Sequence, residues 1–174
     1  MRAFISLELP EEIKKEIALI QQELRAHFPQ ARLVNPQIAH LTLAFFDSIT
    51  PNKIEMVKKI LEKIVYAPIK LKFYRLGCFP NIKKPRIIYL ELKGDLDRLD
   101  HLVKNIRLEL KRQQVFFDDK PFSAHITLAR IKKHQDLTTI ITKVQITQKE
   151  FLTQEIKLVK STLISSGPTY KTLR

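Results

Sequence analysis

Glycine occurs three times in 174 residues, cysteine once and tryptophan not at all. With so few glycines there is no G-x-G-x-x-G or G-K-[ST] phosphate loop, which excludes the common nucleotide-binding plans. A lone Cys78 excludes an intramolecular disulfide and a thiolate metal site, and it suits a reducing, intracellular setting. No apolar run reaches the roughly 18 residues of a membrane span. The Met1–Leu9 stretch is too short and too polar at its end for a signal peptide. A cytoplasmic protein with no membrane partner is therefore expected. Acid is scarce relative to base: 18 Asp+Glu face 31 Lys+Arg, a formal net charge of +13. That imbalance favours a polyanionic partner, and nucleic acid is the one expected.

The chain is 44% hydrophobic and 28% charged, the balance of a folded protein rather than a disordered one. Alternating apolar residues predict strands over Phe4–Leu9, Ala39–Phe46, Ile69–Leu76, Arg86–Leu92, Phe122–Arg130, Phe151–Leu163 and Thr169–Leu173, with a short one at Arg32–Val34. Three- and four-residue spacing predicts helices. One follows Pro10 and buries Ile13, Ile17, Ile20 and Leu24. A second starts at Thr50-Pro51, and a third is capped by Asp95. A short helix is predicted over Leu137–Val144, and Phe79–Pro85 reads as a basic loop.

One phrase occurs twice. His40-Leu41-Thr42-Leu43-Ala44 is matched by His125-Ile126-Thr127-Leu128-Ala129. On a strand, each His and the Thr two residues on share a face, and the leucines and isoleucine share the other. The repeat extends upstream, where Phe4-Ile5-Ser6-Leu7-Glu8-Leu9 matches Ile87-Ile88-Tyr89-Leu90-Glu91-Leu92. Leu7 lies 33 residues before His40, and Leu90 lies 35 before His125. The spacing predicts two β-α-β lobes related by an approximate two-fold within one α+β domain over residues 1–174. The equivalent histidines of the two lobes would then face each other across one cleft.

Two imidazoles across one cleft suit phosphodiester cleavage. One removes a proton from the nucleophile and the other gives one to the leaving oxygen, each from a pKa of about 6.5. Threonine hydroxyls and a cation would steady the phosphate oxygens as charge shifts onto them. Two histidines are too few for a metal site, and no carboxylate cluster or spaced His set accompanies them, so neither a metal nor another cofactor is expected.

Arg130 falls opposite His125 by strict alternation and reaches the cleft only if the strand ends or bulges near Ala129; otherwise it is a surface arginine. Phe4 has two readings, core packing or a platform for a base. Lys132 and Lys133 are either a phosphate-binding rim or solvated lysines. His27, His101 and His134 read as structural or surface residues.

The paired H-x-T motifs resemble those of the 2H phosphoesterases. Within that group the chain is similar to the RNA 2′,3′-cyclic phosphodiesterases, also called the 2′-5′ RNA ligase family. The likeness runs nearly end to end. It takes in Arg2–Leu7 with Pro10-Glu11-Glu12, Ala39–Leu43, Phe79-Pro80, Pro85-Arg86, Pro121–Arg130, Ser161-Thr162-Leu163 and Gly167-Pro168-Thr169-Tyr170. Tyr89 stands in a strand where the family often carries tryptophan.

The resemblance implies a two-lobed α+β fold, mainly antiparallel sheets flanking a central cleft, and hydrolysis of a 2′,3′-cyclic phosphate RNA end to a 2′-phosphate; a monomer is expected. It assigns His40 as proton donor and His125 as proton acceptor. Thr42, Thr127 and Arg130 would contact the phosphate; Phe4, on its aromatic character rather than on the resemblance, is a further candidate substrate contact. Reverse 2′-5′ ligation would use the same pair. The alternatives are a 2H enzyme acting on another 2′-5′ or cyclic nucleotide phosphodiester, or an RNA-binding module without turnover.

Overall fold

A computed structural model of the chain describes every residue except His134 and Ser166. The loop reading of His134 lies outside the described residues. In chain order the elements are β1 (Arg2–Glu8), α1 (Glu11–His27), β2 (Arg32–Leu33), a 3₁₀ turn (Pro36–Ile38), β3 (His40–Phe46), α2 (Pro51–Lys63), β4 (Ile69–Phe79), β5 (Ile87–Gly94), α3 (Leu96–Arg112), β6 (His125–Arg130), α4 (Thr138–Ile141), β7 (Glu150–Thr153), β8 (Ile156–Ile164) and β9 (Gly167–Thr172).

The strands form one sheet in the order β7-β4-β5-β6-β3-β1-β8-β9, with β2 beside β6, and every pairing among the described residues is antiparallel. The fold is α+β, as the family resemblance implies. The two lobes meet at β3 and β6, bridged at Leu41↔Ile126. β7 and β8 lie near opposite ends of this order, yet only Gln154 and Glu155 separate them in the chain. The sheet must therefore curl until its ends approach. The hydroxyl of Thr153 on β7 marks the closure, donating to the Glu8 carbonyl on β1 at 2.7 Å.

Helices α1 and α3 cover the apolar face of the sheet. α1 has Glu11 and Glu12 at its positive end and Arg25 and His27 at its negative end, both favourable to the helix dipole. It buries Ile13, Ile17, Ile20 and Leu24, and α3 buries Leu99, Leu102, Val103, Ile106 and Leu110. These join Ile5, Leu7, Leu41, Leu43, Leu90, Ile126 and Leu128 in one core. Each large aliphatic side chain so buried contributes about 1.5–3 kcal/mol.

Several local expectations change. The expected strand Phe151–Leu163 is two strands, because the chain leaves β4 and crosses to β1 at Gln154-Glu155. The second motif strand begins at His125 rather than Phe122. Asp95 occupies the N-cap position of α3 but makes no capping bond; its carboxylate instead accepts from the Lys70 amide at 3.2 Å. Thr50 likewise precedes α2 without a side-chain cap.

The repeat is visible in the pairing itself. Glu8↔His40, Leu7↔Leu41 and Ser6↔Thr42 in one lobe match Glu91↔His125, Leu90↔Ile126 and Tyr89↔Thr127 in the other. Both lobes then break register at the same place. Ile5 pairs Ala44 and Ile88 pairs Ala129, so Leu43 and Leu128 are each the extra residue of a β-bulge.

Candidate active site

Antiparallel pairing through Leu41↔Ile126 sets His40 beside Thr127 and Thr42 beside His125. Each histidine thus neighbours the threonine of the opposite lobe, and all four share one face. The two histidines are diagonal neighbours, a relation that in a regular pair separates Cα atoms by about 7–8 Å and leaves room for a phosphate between the rings.

Both rings are anchored alike. His40 Nδ1 lies 2.8 Å from the Ile38 carbonyl and His125 Nδ1 lies 2.8 Å from the Ser123 carbonyl. A carbonyl only accepts, so each Nδ1 carries the hydrogen and each Nε2 is left for chemistry. Burial is the largest influence on both rings and holds both below the ordinary value of 6.5, while the main-chain bonds oppose it. His40 also feels Glu8, which favours the charged ring, and His125, which disfavours it.

Aromatic side chains box each imidazole. Phe4 stacks on His40 with centroids 4.4 Å apart and planes at 15°, and the Tyr170 edge meets His40 at 5.5 Å. On the other side, Phe79 and Tyr89 stack on each other at 4.2 Å and meet His125 edge-on at 5.1 and 5.3 Å. Phe4 is 3% exposed, so its ring is spent on His40 and Tyr170 and offers no open face to a base in this structure.

The bulge decides where Arg130 points. Leu128 and Ala129 are both buried, the alternation slips by one, and Arg130 emerges on the face of His125. Its charge is felt at Tyr170, whose phenol burial pushes up while Arg130 and Arg2 pull it down. Lys132 and Lys133 are exposed just beyond β6, and His27 and His101 are exposed on α1 and α3.

Sequence reasoning missed the side chains that hold the bulges. Gln21 of α1 donates to the Leu128 carbonyl at 2.9 Å and to the Val34 carbonyl at 2.7 Å. Arg107 of α3 donates to the Leu43 carbonyl at 3.2 Å and to the Lys120 carbonyl at 2.7 Å. Each bulge is therefore supported by the helix of the other repeat. It also gave no role to Tyr170, although Gly167-Pro168-Thr169-Tyr170 was part of the family likeness.

Fold and paired motifs together define the class, a 2H phosphoesterase. More particularly, the chain belongs to the LigT-like phosphoesterase family, whose model matches residues 7–89 and 91–170, a division that follows the repeat. It is accordingly a phosphodiesterase enzyme by family. The chain is 30% identical over 178 residues to an RNA 2′,3′-cyclic phosphodiesterase of Archaeoglobus fulgidus, covering 100% of this chain and 98% of that one. It is 31% identical to the protein of the same name from Aquifex aeolicus, covering 98% and 93%. Among solved structures it superposes on TT0787 of Thermus thermophilus with a TM-score of 0.85 and 27% identity, covering 100% and 96%. It superposes on E. coli LigT complexed with 3′-AMP with a TM-score of 0.78 and 25% identity, covering 99% and 95%.

Proposed function

We propose that the protein hydrolyses RNA 2′,3′-cyclic phosphate ends to 2′-phosphates by acid–base catalysis between His40 and His125. The observation that carries this is the pair of equivalent histidines on one face, each with Nδ1 tied to the carbonyl two residues earlier and Nε2 directed to chemistry. Neutral His125 takes a proton from water through Nε2 as the water oxygen attacks phosphorus. The P–O3′ bond breaks in line, and His40 in its charged form gives its Nε2 proton to the departing O3′. Water has then been divided between the 2′-phosphate and the new 3′-hydroxyl, and the two rings have exchanged protonation states. Thr42 and Thr127 donate to the non-bridging oxygens, and Arg130 offsets the negative charge at the phosphate. The anionic substrate itself favours the charged His40 that burial disfavours. Both proton transfers are handled by imidazole, so no step calls for a metal. With a 5′-hydroxyl in place of water as the nucleophile, the same pair would open the cyclic phosphate to a 2′-5′ link and a free 3′-hydroxyl.

The test is an RNA oligonucleotide ending in a cyclic phosphate, incubated with the full chain and EDTA. The expected product ends in a 2′-phosphate. His40→Ala and His125→Ala are each expected to lower kcat by on the order of 10²–10⁴ with little change in fold. Folded wild-type protein that makes no product, or either variant at full rate, refutes the reading.

A further inference from the structure

The two imidazoles are near-equivalent by sequence, but the charges around them differ. Each faces a glutamate across its strand pair, Glu8 opposite His40 and Glu91 opposite His125. Glu8 is fixed by four partners. Its amide donates to the Glu155 carbonyl at 2.9 Å, and its carbonyl accepts from Thr153 at 2.7 Å. Its carboxylate lies 2.5 Å from Lys14 of α1 and 3.2 Å from Lys157 of β8.

Those ammonium groups are shared. Lys14 also lies 3.1 Å from Glu11, and Lys157 lies 3.7 Å from Glu155. Neither cation belongs to Glu8 alone, so its carboxylate is only partly offset, and it is the carboxylate that acts on the His40 ring. Among the described residues Glu91 instead pairs one to one with a guanidinium, with Arg75 Nε at 2.5 Å. Among the described residues, the other titratable or charged groups on this face are His125 and Arg130 on β6 and Tyr170 on β9.

We propose that Glu8 is a positioning residue that makes the two histidines unequal: its fixed carboxylate favours a protonated ring at His40 and so makes His40 the proton donor, while His125, whose opposite number is neutralised by Arg75, remains the acceptor. The naming of donor and acceptor rests on the phosphodiesterase reading; the inequality of the rings does not. Burial disfavours the charged form of both rings alike, and a site needing one of each then depends on a local charge to break the tie.

The experiment is an NMR titration of the ring nitrogens of His40 and His125 in the full-length wild type and in Glu8→Gln, Glu91→Gln and Lys157→Gln. Glu8→Gln is expected to move the His40 midpoint to lower pH. Lys157→Gln, which removes a cation from the same carboxylate, is expected to move it to higher pH and serves if Glu8→Gln fails to fold. Glu91→Gln is expected to leave His125 in place. In the turnover assay Glu8→Gln shifts the alkaline limb of kcat/KM to lower pH and costs on the order of three- to tenfold at pH 7.5, with Glu8→Asp recovering part of it. A His40 midpoint unmoved by either charge change overturns the proposal. So does a His125 midpoint that responds to Glu91→Gln as strongly as His40 does to Glu8→Gln. Wild-type protein without turnover sinks the phosphodiesterase reading, while the titration still decides the role of Glu8.

Discussion

Gly77 faces Tyr89 across β4 and β5, and its missing side chain is the space that the tyrosine ring occupies. A Cβ built at Gly77 would lie 2.3 Å from Tyr89 Cζ, 2.5 Å from its hydroxyl oxygen and 2.6 Å from Cε2. Carbon atoms pack at about 3.5–4.0 Å, so Gly77→Ala forces the ring back by about 1.2 Å or more. The ring has little freedom to yield, with Phe79 stacked on it at 4.2 Å and His125 edge-on at 5.3 Å. Overpacking of this kind costs about 1–3 kcal/mol. At this chain length each kcal/mol lowers the melting midpoint by about 2–4 °C. The displaced ring is also a wall of His125, and a shift of about 1 Å in such a wall lowers turnover by on the order of 10²-fold. Thermal melts and cyclic-phosphate turnover on Gly77→Ala measure both effects. Tyr89→Ser supplies the control, because serine is what the other lobe carries at the matching position, Ser6. In that background the alanine has nothing to strike, so the double variant melts no lower than Tyr89→Ser alone. Gly77→Ala that melts and turns over like wild type refutes the reasoning.

Both imidazoles sit below 6.5 because burial disfavours their charged forms, so the unfolded chain takes up protons more readily than the folded one. The stability this concerns is full above the unfolded value and is lost as pH falls through it, so the melting midpoint declines below about pH 6.5 and His40→Asn/His125→Asn flattens that slope. For the same reason the bell-shaped profile of kcat/KM, which reports the free enzyme, centres below about pH 6.5. The profile of kcat lies higher, because the bound phosphate favours imidazolium. Gln21→Leu leaves the Val34 carbonyl without its side-chain donor and weakens the hold on the Leu128 bulge. A loss of about 1–3 kcal/mol in chemical denaturation is expected, together with a lower kcat, since Thr127 and Arg130 flank the bulge.

Features that depend on local period were legible in the sequence. His40 with Thr42, and His125 with Thr127, share a face because strands have a period of two, and the repeat located their partners. The buried stripes of α1 and α3 followed from three- and four-residue spacing. The rest depends on contacts between residues far apart in the chain. Whether Arg130 turns toward His125 depends on a bulge held by Gln21, which is 107 residues from Leu128. The break between β7 and β8 left no mark in the pattern, because both sides of it alternate. Only the sheet order shows that Gln154 and Glu155 carry the chain from one end of the sheet to the other. Glu8 and Glu91 matched as letters in the repeat, but their different charge partners lie on other elements.

The exchange of bulge supports bears on how such a chain arises. The helix that follows the first copy of the repeat holds the motif strand of the second, and the reverse. A half-length chain alone would present one histidine on a strand whose bulge carbonyl lacked its donor. Two such chains clasped as a pair, each helix laid on the other's bulge, would satisfy both carbonyls and bring two histidines together. Doubling the gene of a self-pairing half would then join an existing cleft rather than create one. Later divergence could act on the surroundings of each histidine separately, as Ser6 and Tyr89 at matching positions illustrate.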